Sequence, residues 1–174
     1  MFINIFNLRT LATIFMLSYI NFSAFKVVYA NGLQPSSLMQ QEAKWLVQAL
    51  QQAHFNKVSI KELNANDFIT SYLKKLDKLK LYFTKSDADV FIKRYSSTLI
   101  TFFEQGNLFP GFEIYNSYKE KSIKRLDWVI EFLNEDFHFD TNKTYHINRE
   151  DKPREETKKD LDITWKKLIE FEIL

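Results

Sequence analysis

Residues 79–95 read Leu-Lys-Leu-Tyr-Phe-Thr-Lys-Ser-Asp-Ala-Asp-Val-Phe-Ile-Lys-Arg-Tyr and contain the clearest helix start in the chain. Thr84 and Asp87 resemble a capping box in which an acid replaces the usual Glu or Gln. Phe83 stands directly before the cap, where an apolar side chain packs onto the new helix. The apolar residues that follow recur at intervals of three and four, at Ala88, Phe91, Tyr95, Leu99 and Phe102. The pattern predicts a helix from Thr84 to about Glu104 with one continuous apolar face.

The same kinds of signal predict four further helices, with approximate bounds 35–55, 64–78, 112–133 and 157–174. Gly106 and Pro110 separate the third helix from the fourth, because Gly ends helices and Pro is favoured in the first turn. Thr157 and Asp160 repeat the cap signal before the last helix. The fourth helix is expected to bury an apolar face, which comprises Phe112, Tyr115, Leu126, Val129 and Leu133, flanked by Ile123 and Ile130.

Residues 134–156 are mostly charged and polar, with scattered aromatic residues. We predict an irregular connection that lays Phe137, Phe139 and Tyr145 back on the helices. The 174 residues include only three Gly and three Pro, whereas a β-sandwich or barrel needs many short turns. Aromatic residues make up 16% of the chain, which is ample for a packed core. The predicted fold is all-α, a small bundle of about five helices with an irregular connection before the last one.

The first thirty residues are typical of a secretory signal peptide. Arg9 ends a short N-terminal region, residues 11–24 are mostly apolar, and Ala30 offers a small residue before a cleavage site. An uncleaved membrane anchor is the alternative, but Asn21 and Lys26 interrupt the run well short of the roughly 20 apolar residues that a span needs. The predicted organisation is a signal peptide at 1–30 and a helical domain at 31–174, with no membrane contact beyond the signal peptide.

Composition and charge exclude several classes of function. The chain has no Cys, so neither disulfides nor thiolate metal sites are possible. Removing Arg9 and Lys26 from the 24 Lys and Arg residues leaves as many basic residues as acidic ones, of which there are 22. The remaining charges form no basic face, so a nucleic-acid partner is not expected.

The sequence contains no motif that indicates catalysis or metal binding. There is no Gly-x-Ser-x-Gly elbow and no Gly-rich phosphate loop. The three histidines are His54, His138 and His146, and the spacing of His138, Asp140 and His146 fits no common ligand pattern. The serines that stand near lysines in helical runs include Ser71, Ser86 and Ser96, and proximity of this kind is common by chance. We therefore predict no catalytic, cofactor-binding or metal site.

Five short motifs nevertheless follow one another in a characteristic order. They are Tyr72-Leu73-Lys74-Lys75-Leu76-Asp77; Leu81-Tyr82-Phe83 with Ser86-Asp87; Gly106-Asn107-Leu108 with Phe112-Glu113-Ile114-Tyr115-Asn116; Phe137-His138-Phe139-Asp140 with Tyr145, Asn148-Arg149-Glu150 and Lys152-Pro153; and Asp160-Leu161 with Trp165. In this order and spacing they resemble the N-terminal helical domain of the tail-specific proteases, also called carboxy-terminal processing proteases. The resemblance covers roughly residues 45–174.

The resemblance implies a helical domain that, in that family, precedes a PDZ domain and a protease domain with a Ser-Lys dyad. Neither lies within these 174 residues, so no catalytic residue is carried over to this chain. One departure concerns Arg154, which follows Pro153 where the family usually has Trp. The departure puts one packing contact in question.

We therefore expect the non-catalytic N-terminal helical domain of a periplasmic tail-specific serine protease, made as a truncated product or fragment, which scaffolds substrate or partner docking. Protein substrates or an adaptor would reach it through the parent's PDZ and protease domains, and the exposed faces of the third and fourth helices are the candidate contact surfaces. The alternative is a free-standing periplasmic adaptor or binding protein without protease activity. A third possibility follows from the apolar end, Ile173-Leu174, which would make the chain itself a substrate for tail-specific proteolysis.

Overall fold

A computed structural model describes residues 32–53, 59–139 and 143–174, and within these ranges it contains helices and no strands. The α-helices are α1 (Ser37–Ala53), α2 (Ala65–Leu76), α3 (Lys85–Tyr95), α4 (Leu99–Glu104), α5 (Phe109–Phe132) and α6 (Lys158–Ile173), and a short 3-10 helix covers Ile60–Glu62. The all-α prediction is confirmed, with six helices in the described ranges where about five were expected. No helix within these ranges is both long and apolar enough to cross a bilayer.

The chain divides into two compact units, Met1–Leu33 and Gln34–Leu174. Only residues 32 and 33 of the first unit are described, so the signal peptide predicted at 1–30 lies outside the described residues. All the helices named above belong to the second unit.

The capping boxes at the starts of α3 and α6 are confirmed. At α3 the backbone N–H of Asp87 donates to Thr84 Oγ1 at 3.2 Å, and the backbone N–H of Thr84 donates to Asp87 Oδ2 at 2.9 Å. Thr157 and Asp160 make the same reciprocal pair at α6, at 3.2 and 3.3 Å. Each box satisfies backbone donors that have no partner within the helix, which stabilises the helix start by about 1 kcal/mol.

The third predicted helix is wrong as a continuous element, because α3 ends at Tyr95 and α4 begins at Leu99. Three residues with short hydroxyl side chains, Ser96, Ser97 and Thr98, form the turn between the two helices. Such side chains compete for backbone hydrogen bonds and disfavour a helix interior. The Thr98 N–H donates to the carbonyl of Tyr95 at 3.1 Å, which tightens the chain into a turn. The apolar period continues across the turn, so Leu99 is buried beside Tyr95.

The core lies where α2, α3, α4 and the first half of α5 meet. Phe83 is completely buried at its centre, and its ring packs edge-on against Phe91 at 5.9 Å between centroids. The other large buried residues of this cluster are Ile69, Leu73, Tyr95, Leu99 and Ile114. The aromatic residue expected before the helix cap is therefore the residue around which the helices pack.

The core face predicted for α5 is wrong. The buried residues of this helix are Pro110, Ile114, Arg125 and Phe132. Leu126 and Ile130, which were expected inside, lie on the opposite side of the helix and are exposed. The helix carries apolar residues along two opposite sides, and hydrophobic periodicity does not distinguish between them.

Gly106 ends α4 in the left-handed conformation, with φ of +68°, as expected for a glycine that terminates a helix. A side chain at this position would also meet α1, because an added Cβ would lie 2.4 Å from the carbonyl oxygen of Gln40 and 2.7 Å from Lys44 Cβ. The glycine thus allows the backbone of α1 to approach the end of α4 closely.

Candidate interaction surface

Asp77 follows the last residue of α2 and organises the loop that leads to α3. Its carboxylate is 2% exposed and accepts hydrogen bonds from three consecutive backbone N–H groups, those of Leu81, Tyr82 and Phe83, at 2.7, 3.3 and 3.0 Å. A buried carboxylate is stable only when it is hydrogen-bonded or paired. These bonds fix the loop so that Phe83 enters the core.

Arg154, which stands where Trp was expected, replaces a packing contact by an ionic one. Its Nη1 lies 2.5 Å from Asp77 Oδ2 and also donates to the carbonyl of Phe83 at 3.2 Å. Its Nη2 donates to the carbonyl of Leu73 near the C-terminus of α2 at 3.3 Å, and the guanidinium lies 5.9 Å from the centre of the Phe83 ring. The Arg154 side chain therefore neutralises the buried Asp77, donates a hydrogen bond to a carbonyl at the end of α2 and packs over the Phe83 ring.

The connection before α6 is irregular, as expected, and it is anchored to the same loop. Glu155 accepts from Arg149 and from the Thr164 hydroxyl, each at 2.7 Å, and its carbonyl accepts from the backbone N–H of Lys85 at 2.9 Å. The Trp165 indole N–H donates to the carbonyl of Leu81 at 2.6 Å. The segment that the sequence showed only as polar therefore joins α6 to the start of α3.

Two of the three aromatic residues in that connection make ring contacts with helices. Phe137 packs edge-on against Phe132 of α5 at 5.3 Å, and Tyr145 lies 5.8 Å from Phe171 of α6. Phe139 stacks on Phe137 instead and remains exposed. The prediction that these residues fold back on the bundle is confirmed for Phe137 and Tyr145.

The second half of α5 presents an apolar stripe to solvent. We define this outer stripe as Ile123, Leu126, Ile130 and Leu133, whose exposed fractions are 38%, 58%, 63% and 48%. The residues are spaced by three and four, so they line one side of the helix. Exposed contiguous apolar surface is a feature that many protein contact sites share. It lies on the fourth predicted helix, whose exposed face was a candidate contact surface.

A second group of exposed apolar side chains lies on α1. Leu38, Trp45, Leu46 and Leu50 are each between 50% and 61% exposed. The helix contacts α4 near Gly106 through the backbone of Gln40 and Lys44. Exposed apolar side chains therefore lie on α1 as well as on α5.

A cavity of about 680 Å³ opens between the start of α3, the middle of α5 and the start of α6. We call it the α3–α5–α6 cavity. Its walls combine apolar groups, including Tyr82, Trp128 and Leu161, with charged groups of both signs. Its size lies within the range of small-ligand sites, about 300–1,000 Å³.

Arg125 lines this cavity and is 7% exposed. Its Nη1 lies 2.6 Å from Asp162 Oδ1, and charge rather than an aligned hydrogen bond holds the pair together. The guanidinium also lies 4.7 Å from the centre of the Trp128 ring and 5.5 Å from that of Trp165. The acid and the two ring faces together offset the cost of burying the cation.

Asp87 lines the cavity and also belongs to the capping box of α3. Burial raises the pKa of its carboxyl, but hydrogen bonds from Lys121 and from the backbone and hydroxyl of Thr84 outweigh that effect, so the net pKa lies below its ordinary value. Lys121 Nζ lies 2.9 Å from Asp87 Oδ2. The carboxylate is thus held charged at neutral pH and ties α5 to the start of α3.

The structure brings together none of the side chains considered for chemistry. His138 and His146 are exposed, while His54 and Asp140 lie outside the described residues. Within the described ranges, no group of three or more His, Cys, Asp or Glu side chains could hold a metal ion. Ser71, Ser86 and Ser96 are exposed, and within the described ranges no hydrogen bond joins their hydroxyls to a basic side chain. That this chain contains no catalytic residue stays a prediction.

Sequence reasoning missed the cavity and the role of Arg125. Arginine in a charged helical run is ordinarily a solvated residue, so its position alone gave no signal. The two tryptophans that flank it in space, Trp128 and Trp165, belong to different helices, and only the tertiary fold brings them together.

Comparison with known proteins identifies the chain's relatives. Residues 46–174 match the family model described as the tail specific protease N-terminal domain. The chain is also 23% identical over 125 residues to the tail-specific protease of Haemophilus influenzae, an alignment that covers 72% of this chain and 18% of that protein. The chain therefore spans less than a fifth of the length of this relative.

Proposed function

Because the chain belongs to the tail-specific protease N-terminal domain family, we propose that it is the non-catalytic helical domain of a periplasmic, C-terminal processing serine protease. In this role it scaffolds the docking of substrate or partner proteins, and the peptide bond is cut by another part of the parent. A chain that spans 18% of its relative leaves most of that protein's length for such a part.

The outer stripe of α5 carries this proposal. A helix at a protein surface ordinarily has a polar side opposite its buried one. Leu126 and Ile130 instead face solvent while Ile114 and Phe132 are buried on the other side of the same helix. Leaving such side chains in water costs about 1.5–3 kcal/mol each relative to full burial. The arrangement fits a helix whose outer side is covered by further protein.

The experiment begins with the coding sequence downstream of the Leu174 codon, read in all three frames. A PDZ-like segment and a Ser-Lys protease domain there would support the proposal. That portion is then produced separately, and its affinity for the chain is measured by calorimetry. We expect Leu126→Gln and Ile130→Gln together to weaken binding by about tenfold or more, since both lose their apolar contacts.

Glu131→Gln is the matched control, because Glu131 is exposed on the same helix outside the stripe. It should leave the affinity unchanged. Equal binding by the stripe variant and the unmodified chain would contradict the proposed docking surface. A downstream sequence without either domain would instead favour the free-standing adaptor.

A second measurement addresses the absence of catalysis. The chain is incubated with an unstructured polypeptide that ends in apolar residues, and the products are resolved by mass spectrometry. We expect no cleavage. Cleavage that a serine-directed inhibitor abolishes would overturn the non-catalytic assignment.

A further inference from the structure

We propose that the α3–α5–α6 cavity binds the carboxylate of an acidic side chain in an extended polypeptide, next to an apolar residue of the same segment. The cavity lies on the side of α5 opposite the outer stripe. The two proposals can therefore fail independently.

Every acid that lines the cavity already has a cation as its partner. Asp87 pairs with Lys121 at 2.9 Å and Glu120 with Lys124 at 2.5 Å. Glu156, the third acid, pairs with Lys85 at 3.0 Å. The cation beside each carboxylate offsets the repulsion that the carboxylate would exert on an incoming anion.

Two cationic side chains in the lining, Lys158 and Arg125, keep unused hydrogen-bond donors. Lys158, in the first turn of α6, forms no ion pair with any residue that the structure describes. Arg125 uses Nη1 for Asp162, and within the described ranges no hydrogen bond engages its Nε or Nη2. A guanidinium carries five N–H donors in a fixed fork that matches a carboxylate. Lys158 therefore leaves one positive charge in excess in the lining, and Arg125, whose charge Asp162 balances, contributes unused N–H donors.

Arg125 has a fixed orientation and little contact with solvent. Trp128 holds the Arg125 guanidinium in place at 4.7 Å, so little side-chain entropy is lost when an anion binds. Arg125 is only 7% exposed, and an ion pair formed by a group with so little contact with water is stronger than one at the surface.

The mixed lining selects a peptide over a free small anion. The apolar part of the lining comprises Tyr82, Trp128 and Leu161, and Arg125 and Lys158 belong to the same lining. A free carboxylate such as acetate leaves this apolar part in contact with water. A segment in which Glu precedes Leu places one side chain on the guanidinium and the other against the rings.

The test uses the full-length chain and two blocked peptides, acetyl-Ala-Glu-Leu-Ala-amide and the same peptide with Gln in place of Glu. Binding is followed by NMR through the indole N–H signal of Trp128. We expect saturable binding of the Glu peptide. The Gln peptide should bind at least about tenfold more weakly, since a charge-assisted hydrogen bond is lost. Equal affinities, or no saturable change with either peptide, would overturn the proposal.

Variants locate the site without touching the buried ion pair. Lys158→Ala should weaken binding of the Glu peptide by about threefold, an effect of the size expected for an exposed charge. Lys159→Ala is the matched control, because Lys159 is the next residue and does not line the cavity. Ser86→Trp should abolish binding, because Ser86 lines the cavity and the larger side chain would fill part of it. Equal effects of Lys158→Ala and Lys159→Ala, or unchanged binding in Ser86→Trp, would contradict this location.

Acetate distinguishes the two sources of the carboxylate. We expect acetate to displace the Glu peptide only at concentrations about a hundredfold or more above the peptide's own dissociation constant, because it makes no apolar contact. Displacement at similar concentrations would show a small-anion site and overturn the assignment to a polypeptide.

Discussion

Arg154 and Asp77 form the pair that most directly links single residues to the fold, because the acid fixes the loop before α3 and the arginine covers it. Removing one partner of such a pair leaves a buried charge without compensation, which costs about 3–5 kcal/mol. We expect Arg154→Met to lower the free energy of unfolding by about this amount, measured by urea denaturation. Asp77→Asn in the Arg154→Met background should recover part of the loss.

Arg94→Met is the control for this prediction. Arg94 pairs with Glu113, but its side chain is half exposed, and exposed pairs contribute about 0–1 kcal/mol. Equal losses in Arg94→Met and Arg154→Met would show that the buried position of the Asp77 pair carries no special weight.

Asp87 gives the residue-scale prediction for pH. Because its pKa is lower in the folded chain than the ordinary value of 3.8, the folded state favours the charged form. Its contribution to stability is therefore present above about pH 4 and is lost as the pH falls through the folded-state pKa. We expect Asp87→Asn to lower the free energy of unfolding by about 1 kcal/mol at pH 7, the usual size of a cap.

The difference between Asp87→Asn and the unmodified chain should shrink as urea denaturation is repeated at successively lower pH below the ordinary pKa of an aspartate. Asp89→Asn serves as control, since Asp89 is exposed on the same helix and makes no cap. A difference that stays constant with pH would contradict the role of the charged carboxylate.

At the scale of elements, the sequence predicts what local chemistry determines. The caps at Thr84 and Thr157 and the stop at Gly106 were predicted because each depends on residues within a few positions of one another. The break at Ser96 was missed because the apolar period runs through it without a change. The buried side of α5 was missed because both of its sides are apolar, and the choice depends on which neighbours pack against it.

The junction of α1 and α4 depends on Gly106. We expect Gly106→Ala to detach α1, because the left-handed conformation costs a residue with a Cβ about 1–2 kcal/mol and the added carbon would overlap the carbonyl of Gln40. Hydrogen exchange should show loss of protection confined to α1. Gly111→Ala is the matched control, since nothing lies within 4 Å of an added Cβ there. Equal loss of protection in both variants would refute the close approach as the cause.

At the scale of the whole molecule, the residues that mark the family and those that hold the fold are largely the same. Asp77, Phe83 and Trp165 belong to the motifs that resemble the tail-specific proteases, and each contacts the loop before α3 or the core behind it. Arg154 departs from the family and still binds this loop. Packing and hydrogen bonding within the domain therefore account for these three motif residues.

The apolar surfaces that the domain leaves uncovered predict self-association of a chain that comprises the second compact unit, Gln34–Leu174. The exposed apolar side chains of α1 and the outer stripe of α5 should make this chain associate as its concentration rises, because each contact removes apolar area from water. Sedimentation velocity should show this association. Leu126→Gln with Ile130→Gln should reduce it without lowering the melting temperature, since neither side chain packs in the core. A chain that stays monomeric at millimolar concentration, or a stripe variant that melts several degrees earlier, would show that the stripe is accommodated within the domain itself.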